Sequence, residues 1–151
     1  MMLRPALGSA LALCTLAFAL SSCSSRPASL RSKMQSWATQ QNFVSGDATI
    51  KSDLVGIDAG IGLRDLVGLR TDCVGFSADV DQIYATLPTP DSTVTSELNI
   101  AFTKYWGPGT QLCYGADSFS SAKMATFERY LRLGKAIYAE AGSKIASYGV
   151  H

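Results

Sequence analysis

The sequence predicts an all-α domain, an antiparallel up-and-down bundle of about four helices held by one disulfide. Two observations indicate this fold class. Apolar residues recur three and four positions apart through most of residues 50–148, which is the period of an amphipathic helix. The links between these segments are short and contain glycine or proline. Short links place consecutive helices side by side and antiparallel.

The first two predicted helices are separated at residues 45–47 (Ser-Gly-Asp). Residues 30–44 are weakly periodic and predict a marginal helix that ends there. A second helix, closed by Gly60 and Gly62, carries one apolar face: Ile50, Leu54, Ile57 and Ile61.

The third helix has the clearest pattern, because its apolar residues alternate three and four positions apart over three heptads. They form a narrow seam along one side: Leu66, Leu69, Cys73, Phe76, Val80, Ile83 and Leu87. Pro88 and Pro90 prevent the helix from continuing. Asp91 follows and is expected to cap the next helix.

Two further helices complete the bundle. The fourth is expected to break or kink at residues 107–109 (Gly-Pro-Gly). Its apolar face consists of Val94, Leu98, Ala101, Phe102 and Tyr105. The last helix is expected to be capped by Asp117 or Ser118 and to end at Gly149. The residues of its inner face recur at the same spacing: Met124, Phe127, Leu131, Gly134, Tyr138, Ala141, Ile145 and Tyr148.

The N-terminus has the three parts of a secretory signal, so residues 1–22 are predicted to be a signal peptide. One basic residue, Arg4, precedes an apolar run at residues 6–20, and small residues follow. As a helix the run would be about 22 Å long, shorter than the ~30 Å hydrocarbon core of a bilayer. A segment that is removed after targeting therefore fits better than a permanent transmembrane anchor.

The four residues Leu20, Ser21, Ser22 and Cys23 resemble the lipobox of bacterial lipoproteins. The resemblance implies that Cys23 receives a diacylglyceryl group and becomes the N-terminus after cleavage. Residues 23–32 would then form a lipidated, flexible tether, and residues 33–149 the bundle. The implied location is the extracytoplasmic face of the cell membrane. The alternative is an ordinary secretory signal cut after Ser21 or Ser22.

Near this tether, Trp37 and Phe43 either pack on the bundle or reach into the headgroup region, and packing is the favoured interpretation.

Export also sets the redox state of the cysteines. With Cys14 in the signal and Cys23 lipidated, Cys73 and Cys113 remain as an even pair that predicts one disulfide. Closing the loop between Cys73 and Cys113 stabilises the folded protein by roughly 4 kcal/mol in the chain-entropy model. The alternative is two unpaired buried thiols.

The stretch from Cys73 through residues 79–91 (DVDQIYATLPTPD) to Cys113 looks like small secreted lipoproteins of actinobacteria. Residues 131–145 (LRLGKAIYAEAGSKI) extend the resemblance, which covers roughly residues 50–148. It implies a helical domain with a paired cysteine and no assigned activity. The Gly-Pro-Gly interruption departs from that family's uninterrupted helix.

Charge and residue content narrow the function classes. Without residues 1–22 the chain has 12 basic and 12 acidic residues and no basic cluster, which argues against nucleic acid as a partner. The single histidine is His151, the last residue, where no third group is expected to orient it for triad catalysis. No metal or cofactor site is predicted.

Carboxylates are the remaining candidates for chemistry, because four of them recur every seven residues: Asp58, Asp65, Asp72 and Asp79. They could form an acidic stripe for a cation, a basic partner or glycan hydrolysis. The favoured interpretation is a solvated flank that pairs with basic residues of the last helix: Arg129, Arg132 and Lys135.

The candidate binding surface is an aromatic cluster around the Gly-Pro-Gly segment: Tyr105, Trp106 and Tyr114. The alternative is that Tyr105 packs inward and Trp106 covers the end of the bundle.

Three functions follow as hypotheses. The leading one is a non-catalytic binding or accessory module of the cell envelope with an envelope protein as partner. The others are a carrier of an apolar ligand between the helices, with Ala101, Gly134 and Ala141 leaving the space, and a carboxylate-based envelope hydrolase.

Overall fold

A computed structural model describes residues 28–114 and 120–151 of the chain. Within these ranges the structure is helical and contains no strand, which confirms the all-α class. The elements in chain order are α1 (Leu30–Gln40), α2 (Phe43–Leu63), α3 (Leu66–Tyr84), α4 (Ser92–Asn99), a π-helical segment (Ile100–Trp106), α5 (Gly107–Tyr114) and α6 (Ser121–Ser147).

The first helix begins at residue 30, as the sequence predicts, and ends earlier than predicted. Ser29 caps α1 by accepting a hydrogen bond from the Ser32 amide. The break before α2 is at Asn42, which adopts a left-handed conformation with φ of 51°. Asparagine tolerates this conformation better than most residues.

The prediction of a helix end at residues 45–47 is therefore wrong. Gly46 lies inside α2, where a Cβ atom would come within 3.1 Å of the Ile83 side chain. The glycine permits close approach of α2 and α3. A second glycine, Gly60, does the same against Leu69 near the other end of this antiparallel pair.

Helix α3 follows its predicted seam. The buried residues of α3 are Leu69, Cys73, Phe76, Val80 and Ile83. Leu66, at the first position, is partly exposed, and Leu87 packs on the core from beyond the helix end. Asp91 caps α4 as predicted, because its carboxylate accepts hydrogen bonds from the amides of Thr93 and Val94.

Of the predicted break or kink at residues 107–109, the break is absent, because α4, the π-helical segment and α5 form one continuous helical stretch. The Gly107 amide donates to the Phe102 carbonyl five residues earlier, as in a π turn. Pro108 cannot donate a backbone hydrogen bond, and the wider turn that precedes it accommodates the proline without ending the helix.

The disulfide Cys73–Cys113 is present and joins α3 to α5, with 6.2 Å between the Cα atoms. Helix α6 is capped by Ser120, which accepts from the Lys123 amide. The predicted cap residues Asp117 and Ser118, like Cys23 and the signal peptide, lie outside the described residues.

One end of the domain, which we call the tether end, gathers the start of α1 and the end of α6. Arg31 donates to the Ser147 carbonyl, and Gln35 donates to the Tyr148 carbonyl. Trp37 is buried against Phe43 with 5.0 Å between the ring centroids, and its indole N–H donates to the Thr86 carbonyl. Packing of Trp37 and Phe43 on the domain is thereby confirmed. The α2–α3 turn lies at the opposite end, which we call the hairpin end.

Trp106 occupies the centre of the core and is 1% exposed. Its ring lies 4.9 Å from that of Phe76 and 5.0 Å from that of Tyr138, and its N–H donates to the Leu131 carbonyl at 3.4 Å. The indole fits because Gly134 has no side chain, and an added Cβ there would overlap it.

Replacing Gly134→Ala is expected to destabilise the protein by about 1–3 kcal/mol, because the indole must move in a packed core. Gly142→Ala in the same helix is the matched control, since its Cβ would meet nothing within 4 Å. We expect this control to be neutral or stabilising by up to ~1 kcal/mol. Urea unfolding of both variants measures the difference. Equal stabilities would show that Trp106 does not depend on the glycine.

Candidate binding site

Among the described residues, a groove of about 520 Å³ lies between α2 and α6. It lies toward the tether end, because Val150 and His151 form part of its wall. Most of the wall is apolar: Phe43, Val44, Leu54, Ile145 and Val150. Polar side chains also line the groove: Asp47, Lys51 and Lys135. We call this feature the α2–α6 groove.

The polar groups at the groove are held in fixed pairs. Asp47 accepts hydrogen bonds from Tyr138 at 2.9 Å and from Lys51 at 2.6 Å. Lys135 donates to both oxygens of Asp58, at 2.7 and 2.6 Å. Both lysines that line the groove are thus paired with carboxylates.

Tyr138 behaves as a hydrogen-bond donor at this site. Burial raises the pKa of its phenol, and the neighbouring charge of Asp47 raises it further. A phenol in this state keeps its proton at any physiological pH and cannot act as a base. The groove therefore offers apolar walls, paired charges and a neutral hydroxyl, an arrangement suited to binding.

Gly142 makes the groove deeper than any other residue would. It lines the groove from α6, and a Cβ atom at this position would meet no other atom within 4 Å. A large side chain at residue 142 can consequently enter the groove without disturbing the core.

The predicted aromatic surface is not formed, because its three residues lie in different environments. Trp106 is buried beneath α6 and is unavailable to a partner. Tyr105 is half-buried and packs on Tyr130 with 6.3 Å between the ring centroids. Tyr114, at the end of α5, is 43% exposed. The alternative interpretation fits Tyr105, which packs inward, but not Trp106, which lies in the core instead of covering the end of the bundle.

The carboxylates that recur every seven residues do not form one stripe. Asp58 pairs with Lys135, as the interpretation of a solvated flank predicts. Asp65 instead caps α3 by accepting from the Gly68 amide at 3.0 Å. Asp72 and Asp79 face α2, where they act on the pKa of Asp53.

Asp53 is the residue that the sequence analysis missed. Partial burial, a hydrogen bond with Asp79, and the charges of Asp79 and Asp72 raise its pKa to about 6. Its Oδ2 atom is buried and has no hydrogen-bond partner, and a buried carboxylate oxygen without a donor favours the protonated form of the group. The sequence contains an indication of this pair, because Asp53 directly precedes Leu54 on the apolar face of α2 and Asp79 directly precedes Val80 on the seam of α3.

The described residues contain no group of three or more histidine, cysteine, aspartate or glutamate side chains placed to hold a metal ion. No helix among them is both long enough and apolar enough to cross a membrane. No protein-family model, no curated protein and no solved structure matches this chain significantly. The resemblance to lipoproteins accordingly remains a prediction from sequence.

The elevated pKa of Asp53 makes the stability of the domain depend on pH. The folded state favours the protonated carboxyl, so its contribution is complete below the unfolded pKa near 3.8 and is lost as the pH rises through about 6. Asp53→Asn mimics the protonated form and does not titrate. We expect the stability of the wild type relative to this variant to fall by about 1 kcal/mol across that interval, after allowance for solvent screening.

Chemical unfolding at several pH values measures this difference. Ser52→Asn, an exposed substitution on the same helix, is the control and should leave the pH dependence of the wild type unchanged. Parallel curves for the wild type and Asp53→Asn would contradict the raised pKa of Asp53.

Proposed function

We propose that the protein is a lipid-anchored extracytoplasmic lipoprotein and a non-catalytic binding or accessory module of the cell envelope. In this proposal its long helical units run up and down: α2, α3, the stretch from α4 to α5, and α6. The observation that carries the proposal is the α2–α6 groove, an apolar site with pre-paired polar edges that opens toward the tether end.

The anchor would hold this site close to the membrane. Five residues, 24–28, separate the proposed lipidated cysteine from the cap of α1, and the chain from Cys23 to Ser29 can span at most about 20 Å. Arg31 and Gln35 attach the start of α1 to the end of α6, whose last residues adjoin the groove. Two or more acyl chains on Cys23 would anchor the protein stably.

The occupant that fits the groove best is an apolar segment of an envelope protein. Its side chains would cover Val44, which is exposed, and would contact Phe43 and Ile145 in the wall of the groove, while its backbone polar groups would meet the polar side chains there. Balanced charges at the rim, with Lys51 paired to Asp47 and Lys135 paired to Asp58, favour a neutral partner over a charged one.

The same apolar walls support the second candidate, a carrier of a small apolar ligand. The ligand would lie in the groove and not between the helices, because Trp106 fills the space that Gly134 leaves. The hydrolase hypothesis gains no support from the groove, since Asp53 and Asp79 do not line it.

Gly142→Leu fills the groove and is expected to reduce the bound partner about tenfold or more, the loss typical of a blocked central contact. Gly62→Leu is the matched control, because residue 62 is equally open but lies at the hairpin end. The tagged full-length variants are purified from detergent-solubilised native membranes, and their bound proteins and lipids are quantified by mass spectrometry. Loss of a lipid instead of a protein would favour the carrier, and equal recovery from both variants would exclude the groove.

Cys23→Ser is expected to release the protein from the membrane fraction, because no acyl chain can be attached. The mass of the N-terminal peptide provides the direct test in the wild type. A lipidated peptide beginning at Cys23 agrees with the anchor. An unlipidated N-terminus at Ser22 would contradict it and indicate free secretion.

A further inference from the structure

Another cavity, of about 200 Å³, lies between α3 on one side and the π-helical segment with α5 on the other. It shares no lining residue with the α2–α6 groove. Each wall is one helix face, because its residues are spaced four and then three positions apart. These residues are Ser77, Asp81 and Tyr84 on α3, and Thr103, Gly107 and Thr110 on the other wall. We call this feature the Asp81 cavity.

The Asp81 cavity also has an apolar and aromatic lining. Val80 and Phe102 line it and are both buried. The Tyr84 ring is 43% exposed and meets the Phe102 ring edge to face, with 6.3 Å between the centroids. Aromatic rings attract a cation through their negative faces. The cavity therefore suits a group that is apolar in one part and positively charged in another.

The Asp81 carboxylate is the one charged group in the lining, and its charge is not compensated by a basic side chain. The ion pairs among residues 28–114 and 120–151 do not include Asp81. Lys104, the residue after Thr103, has its ammonium 5.6 Å from the centroid of the Tyr105 ring. A cationic ligand can consequently pair with Asp81 without displacing an ion pair of the protein.

The π-helical segment leaves a backbone acceptor beside the cavity. The Gly107 amide donates to the Phe102 carbonyl, five residues earlier. In the same register the amide of residue 108 would donate to the Thr103 carbonyl. Residue 108 is a proline and has no N–H group, so the Thr103 carbonyl is left without this donor.

The hydroxyl groups of the lining are also suited to accepting hydrogen bonds. The hydroxyls of Thr103 and Thr110 already donate to backbone carbonyls, so they offer lone pairs to a ligand. Ser77 contributes a third hydroxyl from the half-buried face of α3. The cavity thus combines a carboxylate, several oxygen acceptors and two aromatic rings. A cation with several N–H donors complements this set.

We propose that the Asp81 cavity binds a primary alkylammonium group, with Asp81 as its counter-ion and the rings of Tyr84 and Phe102 beside its alkyl chain. An ammonium group has three N–H donors on a compact head. The cavity is smaller than the roughly 300–1,000 Å³ pockets that hold whole drug-sized ligands, so it receives the end of a chain. The chain is a lysine side chain of a polypeptide or a small free amine. This site depends neither on the lipid anchor nor on the α2–α6 groove.

Saturation-transfer NMR with the detergent-solubilised full-length protein tests the site, and Nα-acetyl-lysine methylamide is the probe. We expect saturable binding that is weakened about tenfold or more by Asp81→Asn, which removes the charge and keeps the shape. Glu140→Gln is the matched control, because it removes an exposed carboxylate of α6 outside the cavity. Tyr84→Leu should weaken binding about two- to fivefold, as expected for losing a cation–π contact at an exposed site.

The Nε-acetylated form of the same probe has no charge and should not bind. Equal binding of the two forms would overturn the proposal, and so would equal binding by the wild type and Asp81→Asn. The absence of saturable binding to the folded wild type would also overturn it. n-Butylammonium distinguishes the two sources of the ammonium group. Binding as tight as that of the lysine probe supports a site for a free amine, whereas weaker binding supports a site for a polypeptide.

Discussion

The position of Trp106 on Gly134 determines how the helices of this domain fit together. The indole is in contact with aromatic rings of three elements, those of Phe76, Phe102 and Tyr138. A side chain of this size buries roughly 200 Å² and contributes about 5 kcal/mol if all of that area leaves water. Since a Cβ at residue 134 would displace the ring, the missing side chain in α6 is as necessary as the indole itself. The π-helical segment places Trp106 at this position, so the local backbone irregularity serves the core.

The disulfide acts at a different place from this central contact. Cys73 and Cys113 join α3 to α5 in the half of the domain that includes the α2–α3 turn. Trp106 meets α3 one turn further on, at Phe76. Helix α3 is thus held at successive turns along its buried side, once by the disulfide and once by the indole.

The sequence was informative wherever a single helix determined the outcome. The seam of α3, the cap at Asp91 and the cysteine pair all depend on local spacing or compartment, and all were found. Glycine was misread at residues 46 and 107–109, because a turn and a close helix contact both require a missing side chain and only the partner helix distinguishes them. The prediction of an aromatic surface was wrong for the same reason, since the space that receives Trp106 is provided by Gly134, 28 residues further along the chain. Asp53 was overlooked because its partners Asp79 and Asp72 lie across an interface.

Helix α2 lies between the α2–α6 groove and the contact with α3. The groove lies between α2 and α6, whereas α3 packs against the glycine face of α2 at Gly46, Gly56 and Gly60. The two faces of α2 therefore differ in kind: missing side chains on one face let α3 approach closely, while Phe43 and Val44 on the other face line the groove. A substitution that fills the groove from α6 consequently leaves the contact between α2 and α3 unchanged.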